Sequence, residues 1–391
     1  MPSQYKVSMG KKRLTILHVI AGIDRSSGGT TTALKNILEL EQLLGYNLDV
    51  LAIHSNDSDE TIGKFATLHS SVASFPKRFS RSREANKWFH KNYKKYDLVH
   101  IHGIWSFLPL EIANAARRRH IPYIVSPHGS LDPFDLQKKS ILKNILGPLF
   151  VAPILSASLG MLGTATIEAE RFVTYGTSPR RFVLPLPVPT HSMKGNRKRF
   201  RERYSIEKDD LVLLFLSRIN YKKGLNILLE ALAKITKDYP NLRLIIAGAD
   251  SGGYEMKVRS WVLKFNLTKQ VFFPGFLKDQ DKWDAFAGSD CFILPSMNEN
   301  FGLAVIEALS AGLPVIISDN VYIWKDIVDA ECSWICHYSS NSLFEVLKQF
   351  IHQKEERRRK SKHAPEAAGM FAPSVLAPHY RKFFEETIWR P

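Results

Sequence analysis

The sequence predicts an α/β protein made of two similar domains, each built on its own parallel sheet. Apolar runs that suit strands alternate with amphipathic helical patterns along the whole chain, as in repeated βαβ units. A length of 391 residues suits two domains. Near the middle, residues 184–189 read LPLPVP, and alternate prolines favour an extended connection between the domains.

The elements follow from this alternation. In the first half, strands are predicted at residues 14–20, 48–53, 98–101 and 123–126, with helices at 31–44, 83–93 and 110–119. In the second half, strands are predicted at 211–217, 242–248, 271–273, 291–294 and 315–318, with helices at 225–236, 254–265 and 302–311. A final helix is predicted at 374–389.

Composition narrows the class of protein. Hydrophobic residues make up 45% of the chain and charged residues 24%, which is ordinary for a soluble globular protein. Three cysteines are too few for a disulfide framework and too unevenly placed for zinc, so we expect reduced thiols in a cytoplasmic protein. The apolar run at 14–23 is short and leads into charged residues, which indicates a first strand rather than a signal peptide.

The net charge of +16 needs a partner or a structural role, and most of the excess lies in residues 1–190. Nucleic acid, an anionic membrane surface and phosphorylated small molecules all suit such a charge. The charge does not choose among them. No nucleic-acid recognition motif with interleaved aromatics is present, so nucleic-acid binding is not expected. The basic runs at 194–203 and 354–362 are interpreted as solvated surface.

The most informative stretch passes from a strand into a helix. It reads ILPSMNENFGLAVIEAL over residues 293–309, and Gly312 follows as a helix stop. Free backbone amides at Gly302 and Leu303 make an anion site that the helix dipole strengthens. At about 1.5 Å per residue, Glu307 lies roughly 7 Å beyond that site. This placement suits a carboxylate that accepts hydrogen bonds from ribose hydroxyls while the amides hold a diphosphate.

A second stretch, LSRINYKKGL at residues 216–225, supplies two cations. Arg218 follows a strand and Lys223 precedes a helix, which is where α/β folds place ligand groups. There they would neutralise the charge that develops on a departing nucleotide diphosphate. Taken alone, the local sequence favours two solvated charges in a loop.

With these two stretches the chain resembles the GT-B glycosyltransferases of family 4, which include bacterial exopolysaccharide and lipid-sugar transferases. The family signature is two glutamates separated by seven residues, and Glu299 and Glu307 match it with a Phe-Gly-Leu between them. The resemblance implies two Rossmann-like domains whose parallel sheets face each other across a cleft. It implies an acceptor domain at 1–187, a donor domain at 188–373, and a C-terminal helix at 374–391 that rejoins the first domain.

The resemblance also implies roles for individual residues. Glu299 would contact the donor sugar, Glu307 the ribose, and Arg218 and Lys223 the diphosphate. Backbone groups in the turn at 273–277 would contact the nucleobase, for which uracil is favoured over guanine and adenine. The residues implied at the donor site of the second domain are Arg218, Lys223, Phe276, Leu277, Glu299, Asn300, Phe301, Gly302, Leu303 and Glu307.

Two loops of the first domain are candidates for the same cleft. Gly28 and Gly29 join the first strand to its helix, and glycines let the backbone approach an anion, although a plain tight turn explains them equally well. In the resembling enzymes this loop approaches the diphosphate or the acceptor. His128 follows a strand, and a lone histidine there is more often structural. The resemblance implies that His128 reaches the donor sugar near its reactive carbon.

Two other polar motifs contain residue types that can bind a metal. His100 and His102 alternate on one face of a predicted strand, so His102 is at most cleft-lining, with Trp105 nearby as a possible acceptor platform. The acidic triplet Asp57-Ser58-Asp59 matches the metal motif of the other glycosyltransferase architecture, but a solvated loop is favoured because this chain has two tandem halves. Neither a metal nor a cofactor is expected.

The predicted activity is transfer of a hexosyl unit, with glucose favoured, from a UDP-sugar to a glycan or lipid-linked acceptor in polysaccharide biosynthesis. The resemblance implies retention of the anomeric configuration. The segment 138–155 mixes cations with apolar residues, so it either rests on an anionic membrane surface or is buried. Two alternatives remain: a sugar-nucleotide epimerase or phosphorylase of the same fold, and a non-catalytic anion-binding scaffold.

Overall fold

The structure is a computed structural model that describes residues 13–25, 28–74, 80–137, 140–189 and 194–388. Two separate parallel sheets occur in this part of the chain, and helices pack on both. The predicted α/β class with two Rossmann-like domains is confirmed.

The first domain carries a sheet of seven strands. Its strands are β1 (Thr15–Gly22), β2 (Asn47–Ile53), β3 (Thr67–Ser71), β4 (Leu98–His102), β5 (Tyr123–Ser126), β6 (Gly160–Gly163) and β7 (Arg181–Val183). Its helices are α1 (Gly29–Leu43), α2 (Arg83–Asn92), α3 (Phe107–Arg118), α4 (Pro133–Leu136), α5 (Ser140–Leu146), α6 (Ala152–Ser156) and α7 (Thr166–Arg171). A π-helical turn at Gly147–Val151 joins α5 to α6, and 3₁₀ turns occur at Glu60–Lys64 and Tyr93–Lys95. The strand order is β3-β2-β1-β4-β5-β6-β7.

The second domain carries a sheet of six strands. They are β8 (Leu211–Leu216), β9 (Leu242–Ala247), β10 (Val271–Gly275), β11 (Cys291–Leu294), β12 (Val315–Ser318) and β13 (Ser333–Cys336). The helices are α8 (Arg197–Arg203), α9 (Leu225–Ile235), α10 (Tyr254–Lys264), α11 (Asp279–Gly288), α12 (Leu303–Ser310), α13 (Trp324–Ile327), α14 (Ser340–His352), α15 (Lys354–Gly369) and α16 (Pro373–Ile388), with 3₁₀ turns at Tyr221–Lys223 and Val328–Ala330. The strand order is β10-β9-β8-β11-β12-β13.

Strand order reverses once in each sheet, between β1 and β4 and between β8 and β11. Loops that leave neighbouring strands at such a reversal turn to opposite faces of the sheet and open a crevice at the carboxyl edge, where open α/β sheets bind ligands. The loops after β1 and β4, with the neighbouring loop after β5, and the loops after β8 and β11 therefore form the candidate site.

The central strands are buried on both faces, which explains why their sequences are continuous apolar runs without alternation. In β8 and β9, Val212 to Phe215 and Leu244 to Ala247 are buried, and the run that begins at Leu14 is confirmed as the central strand β1. The three cysteines are free and buried. Burial raises the pKa of Cys332 to about 11 and that of Cys336 to about 12, so both thiols stay protonated at neutral pH.

Helix α16 follows the second domain in the chain but packs on α1 of the first. Phe384 is 1% exposed and meets the ring of Tyr46 edge-on at 5.6 Å, and the Tyr380 hydroxyl donates to the carbonyl of Pro185 at 3.1 Å. The helix thus closes the hydrophobic core of the first domain. The boundary at 187/188 stays a prediction.

The basic run at 194–203 is not simply solvated surface, and that interpretation is wrong for part of it. The run forms α8, and its cations meet carboxylates beside α11. Arg201 is buried and donates to Asp290 at 2.9 Å and to main-chain carbonyls, while Arg199 pairs with the buried Asp284. The run 354–362 lies in α15, where ion pairs one turn apart support the helix.

We expect Phe384→Ala to lower the midpoint of thermal unfolding by about 6–20 °C, because it opens a cavity costing about 3–5 kcal/mol where α16 covers α1. Val375→Ala is the matched control, because Val375 is half exposed on the same helix. Differential scanning calorimetry of both variants checks this. Equal midpoints would show that α16 does not complete the first domain.

Candidate active site

The second domain places a lysine against the first glutamate of the pair. Lys223 ends a 3₁₀ turn after β8 and forms an ion pair with the Glu299 carboxylate, and both side chains are mostly buried. Gly224 permits this approach. It has a φ of 73°, and a Cβ at that position would lie 1.9 Å from the Pro295 carbonyl oxygen. The Glu299 backbone is fixed at the strand edge, since its N–H donates to the Asn320 carbonyl at 2.9 Å.

The second glutamate is held by a different lysine. Lys282 of α11 lies 2.9 Å from the Glu307 carboxylate, and both are mostly buried. The ion pair brings the start of α11, and with it the loop that carries Phe276 and Leu277, next to α12. Phe276 is 61% exposed, so its ring is available to a ligand at this edge.

Arg218 and the start of α12 complete this side of the cleft. Arg218 is exposed and forms no ion pair with a carboxylate in the described ranges. Gly302 caps α12 with a φ of 81°, and the amides from Leu303 onward begin the helix, where the first N–H groups lack intrahelical acceptors. Phe301 is buried edge-on to Phe371 at 5.5 Å, so any ligand contact from this residue must come from its backbone.

A buried carboxylate links the two domains. Glu168 of α7 accepts hydrogen bonds from the Gly129 N–H at 2.9 Å, from Asn300 Nδ2 at 2.8 Å, and from the backbone and hydroxyl of Thr164 at 2.7 Å. Burial raises the pKa of Glu168, and the donated hydrogen bonds oppose that shift. The resemblance implies that Asn300 contacts the donor, but in this structure its side-chain amide donates to Glu168 of the first domain. A Cβ on Gly129 would lie 2.4 Å from that amide.

A second polar network crosses between the domains beside it. Asp132 of the first domain accepts from the Tyr322 hydroxyl at 2.7 Å, and Asn298 donates to the same hydroxyl at 2.7 Å. Arg171 pairs with Asp132 at 3.0 Å. Burial, and then the bond to Asp132, raise the pKa of Tyr322. Among the described residues, Asp135 and Lys222 add a cross-domain ion pair directly beside Lys223.

The first domain contributes a cavity of about 770 Å³ at the carboxyl edge of its sheet. Its lining includes His102, His128, Asp24, Ser55 and Asn56. None of the donor-side residues Arg218, Lys223, Glu299 or Glu307 lines it. The cavity is thus a site distinct from the donor side, and His128 stands where the two meet, one residue before the Gly129 that Glu168 binds.

His128 is half-buried, and removal of its imidazole from water lowers its pKa to about 4. The ring is therefore neutral at pH 7. Gly28 has a φ of 65° and no atom near its missing Cβ, and Gly29 is exposed at the start of α1. Neither glycine lines the cavity, whereas Thr30 next to them does. Ser27 lies outside the described residues.

Two sequence interpretations remain open. Trp105 is not among the residues that line the cavity; its indole N–H donates to the Ser130 carbonyl at 3.0 Å and its ring meets Tyr175 edge-on, so its role as an acceptor platform stays a prediction. Asp59 accepts hydrogen bonds from the backbone N–H and the hydroxyl of Thr61, and its side chain thereby caps the 3₁₀ turn at Glu60–Lys64. Whether the enzyme needs a metal stays a prediction.

Sequence reasoning missed the residues that join the domains. Glu168, Asp132 and Tyr322 carry no motif signal, because each acts through a partner more than 30 residues away. The sequence signal for Glu168 is weak: it is a charged residue between the apolar Ile167 and Ala169, in the stretch TATIEAE at residues 164–170.

The comparisons with known proteins agree with this geometry. A family model described as Glycosyltransferase Family 4 matches residues 27–191, and one described as Glycosyl transferases group 1 matches residues 196–367. This chain is a family 4 glycosyltransferase. The predicted GT-B fold and transferase class are confirmed.

Among its relatives, this glycosyltransferase is 26% identical to the putative glycosyltransferase EpsD of Bacillus subtilis over 68% of this chain and 70% of EpsD. It is 25% identical to the alpha-monoglucosyldiacylglycerol synthase of Streptococcus pneumoniae, over 64% of this chain but only 57% of that protein. The structure of HepE from Anabaena, solved in complex with UDP and glucose, matches with a TM-score of 0.78 and 16% identity, covering 95% of this chain and all of HepE. Within the described residues, no helix has the length and apolar character needed to cross a bilayer.

We expect Glu168→Gln to flatten the pH dependence of stability. Because burial raises the pKa of Glu168 above 4.5, the folded state keeps this proton where the unfolded state has lost it, so the free energy of unfolding falls as pH rises above 4.5. One such group contributes at most about 1.4 kcal/mol per pH unit. Urea denaturation between pH 4.5 and 7 measures the slope. Glu170→Gln, an exposed site on the same helix, should keep the wild-type slope, and an unchanged slope in both variants would contradict this account.

Proposed function

We propose that this glycosyltransferase moves a hexosyl unit, with glucose favoured, from a UDP-sugar to a hydroxyl of a glycan or lipid-linked acceptor, with retention of configuration. The observation that carries the proposal is the group formed by Lys223, Glu299, Arg218 and the start of α12 at the carboxyl edge of the second sheet. HepE, which shares the fold, was solved with UDP and glucose, and one relative is named for a glucosyl diacylglycerol.

Different groups on the donor side suit different parts of a nucleotide sugar. Lys223, Arg218 and the first amides of α12 offer positive charge and hydrogen-bond donors to a diphosphate. Glu307 lies farther along α12, where its carboxylate would accept ribose hydroxyls, and the loop with Phe276 and Leu277 would meet the base. Glu299 would accept hydroxyls of the sugar. Lys223, held by Glu299, and the amides of α12 are in place before the donor arrives, which is how preorganised groups lower a barrier.

The proposed reaction balances without a cofactor or a metal. The bond between the anomeric carbon and the diphosphate oxygen breaks, and a bond from the acceptor oxygen to the same face of that carbon forms. The acceptor proton passes to the departing diphosphate, and UDP leaves. Arg218 and Lys223 would stabilise the charge on the leaving group, since no side chain is placed as an evident covalent nucleophile. Neutral His128 would hydrogen-bond the sugar near the reacting carbon.

The acceptor would enter the cavity of the first domain. Its lining mixes hydroxyl, amide and carboxylate groups, such as Ser55, Asn56 and Asp24, with apolar residues such as Ile20 and Ile53. Hydroxyl-rich acceptors need such polar partners, while apolar walls pack against sugar faces or a lipid. His128 lines this cavity and adjoins the donor side, which is the placement that transfer between two substrates requires.

The donor proposal predicts that UDP-glucose raises the unfolding midpoint more than GDP- or ADP-sugars do, because binding to the folded state alone stabilises it. Lys223→Ala should lose most of that shift and lower kcat by about 10²- to 10³-fold, since a charge-stabilising donor is removed. Thermal-shift assays and UDP release from UDP-glucose measure the two effects, with EDTA present to check that no metal is needed.

Lys237→Ala is the matched control, because Lys237 is an exposed lysine of the same domain that follows the C-terminal end of α9, whereas Lys223 precedes the start of that helix. It should behave as wild type. A folded Lys223→Ala variant with undiminished turnover would remove Lys223 from the mechanism, and interconversion of sugar nucleotides without transfer would contradict the activity itself.

For the acceptor, we propose that the protein works in the cytoplasm with the α5 region of the first domain resting on the anionic inner face of the membrane. Exposed apolar side chains cluster there, with Ile141 78%, Leu149 64% and Ile145 57% exposed. Together with Phe150 they span α5 and the π-helical turn. The segment also carries Lys138 and Lys139, which lie outside the described residues, and Lys143, which donates to the Asp135 carbonyl. Exposed apolar side chains in a segment that is basic in sequence suit shallow insertion among lipid headgroups.

We expect Ile145→Glu combined with Leu149→Glu to weaken binding to vesicles of mixed phosphatidylcholine and phosphatidylserine about tenfold or more, because two apolar side chains are lost and two like-charged groups gained. Vesicle co-sedimentation at low and high salt measures it. Leu263→Glu, at an equally exposed apolar site of the second domain, is the control. Equal binding by all three proteins would show that this face does not dock on membranes.

A further inference from the structure

A chain of hydrogen bonds runs from the interior of the first domain to the cleft. Glu41 of α1 lies 2.8 Å from His18 Nε2, His18 Nδ1 lies 3.0 Å from His102 Nε2, and His102 Nδ1 lies 2.9 Å from His128 Nε2. Glu41 and His18 are fully buried, His102 nearly so, and His128 is half-buried at the cavity. We call these four residues the histidine relay.

The sheet brings the relay together. Parallel pairing of β1 with β4 places Ile20 opposite His102 and His18 opposite His100, and side chains two positions apart on a strand share a face. Helix α1 covers that face and delivers Glu41 to it. Two strands and a helix that are each held by the core thus fix the distances of the relay.

The carboxylate at the buried end sets the direction of the hydrogen bonds. An ionised carboxylate only accepts, and a neutral imidazole donates from one nitrogen and accepts at the other. His18 must then carry its proton on Nε2, which leaves Nδ1 to accept from His102 Nε2. By the same count, His102 Nδ1 accepts from His128 Nε2. His128 Nδ1 is left as a lone pair, and it has no partner in the described part of the chain.

Metal binding is the competing use of these rings. His18, His100 and His102 have ligand atoms within 4.8 Å of one another. However, the rings of His102 and His128 are nearly coplanar, at 9°, and those of His18 and His102 lie at 24°, with hydrogen-bond distances between nitrogens. His100 Nε2 lies 2.8 Å from the Ser126 hydroxyl. Both ring nitrogens of His18 and of His102 are engaged in hydrogen bonds, so neither ring has a lone pair left for a metal. Only His100 Nδ1 of this cluster has no hydrogen-bond partner among the described residues, and one nitrogen does not hold a metal ion.

We propose that Glu41 and His18, acting through His102, hold His128 in the tautomer with its proton on Nε2, so that Nδ1 accepts a hydrogen bond from a substrate hydroxyl in the cleft. Glu41 and His18 are positioning residues, since neither reaches the cleft. The role of His128 toward substrate rests on the proposed function, whereas its tautomer does not. Glu41 Oε1 has no hydrogen-bond partner among the described residues, so the hydrogen bond from His18 Nε2 to Oε2 is what holds this carboxylate.

Burial keeps the imidazoles at the cleft end of the relay neutral. It lowers the pKa of His102 well below its ordinary value, and the neighbouring histidines lower it further. If the relay ran in the opposite direction, His128 would present an N–H to the cleft, which would repel the hydrogen of a donating hydroxyl. The buried carboxylate thus selects which hydrogen bond the cleft offers.

The test is two-bond ¹H–¹⁵N correlation spectroscopy of full-length protein with ¹⁵N in its histidine rings. The 13 histidines are assigned at the relevant positions by His18→Gln, His102→Gln and His128→Gln. We expect wild type to show the Nε2–H tautomer at His18, His102 and His128. Glu41→Gln should shift His128 toward the Nδ1–H tautomer, because a carboxamide can also donate to His18 and so allows the reverse direction. Glu39→Gln, on the same helix, should leave the spectrum unchanged.

Kinetics give a second readout. Glu41→Gln should lower kcat/KM for sugar transfer by about ten- to hundredfold, as expected for one lost hydrogen bond to a charged or reacting group. A wild-type His128 with its proton on Nδ1, or a relay whose signals change on chelation, would overturn the proposal. So would a Glu41→Gln protein with the wild-type tautomer. If that variant does not fold, the wild-type spectrum alone decides. If Lys223→Ala keeps full turnover, the proposed role of Lys223 is contradicted, but the tautomer of His128 measured by spectroscopy is unaffected.

Discussion

One buried carboxylate, that of Glu168, fixes the two domains against each other at the centre of the cleft. Burying a carboxylate is costly unless its oxygens are fully bonded, and Glu168 accepts four hydrogen bonds from three residues. Two of those donors belong to the His128-Gly129 turn and to the loop that carries Asn300. Because Glu299 adjoins Asn300, the same carboxylate sets the separation of the first-domain cavity from Glu299 and Lys223.

The distribution of charge follows a consistent rule around the cleft. Lys223 faces Glu299, Lys282 faces Glu307, and Lys222 faces Asp135 across the domains. Each lysine is therefore fixed in place rather than free to follow solvent. Arg218 alone of the candidate cations has no carboxylate partner among the described residues. Part of the net charge of +16 is used structurally, as in the Arg201 contacts behind the second sheet.

Much of the fold could be predicted from the sequence because the central strands are long, apolar and buried on both faces. Strands β5, β11 and β12 occur where predicted, and the boundaries of the predicted helices differ from the observed ones by at most three residues. The edge strands β3, β7 and β13 and the inner strand β6 were missed. In β3 and β7 the burial pattern is mixed, β6 has a glycine at each end, and all four strands are only three to five residues long, so no long apolar run indicates them. Helix α8 was misread because its basic residues find acidic partners more than 80 residues away.

The site was predictable only where chemistry is local. The glutamate pair lies on one continuous stretch from a loop into α12, and the cation pair lies on one loop, so the spacing of each pair is visible in the sequence. Asn300 and Phe301 show the limit, since one bonds Glu168 of the other domain and the other packs in the core. The histidine relay was also beyond sequence reasoning, because strand register and helix packing decide which of 13 histidines share a face.

The return of α16 to α1 has a consequence for how the protein is made. During synthesis the first domain emerges before α16, the helix that packs on α1. Tyr46 cannot contact Phe384 until that residue, more than 300 positions downstream, has been translated. The whole second domain must be translated in between. The first domain therefore cannot reach its finished core before the second has left the ribosome, and until then its uncovered apolar surface is what a chaperone would recognise.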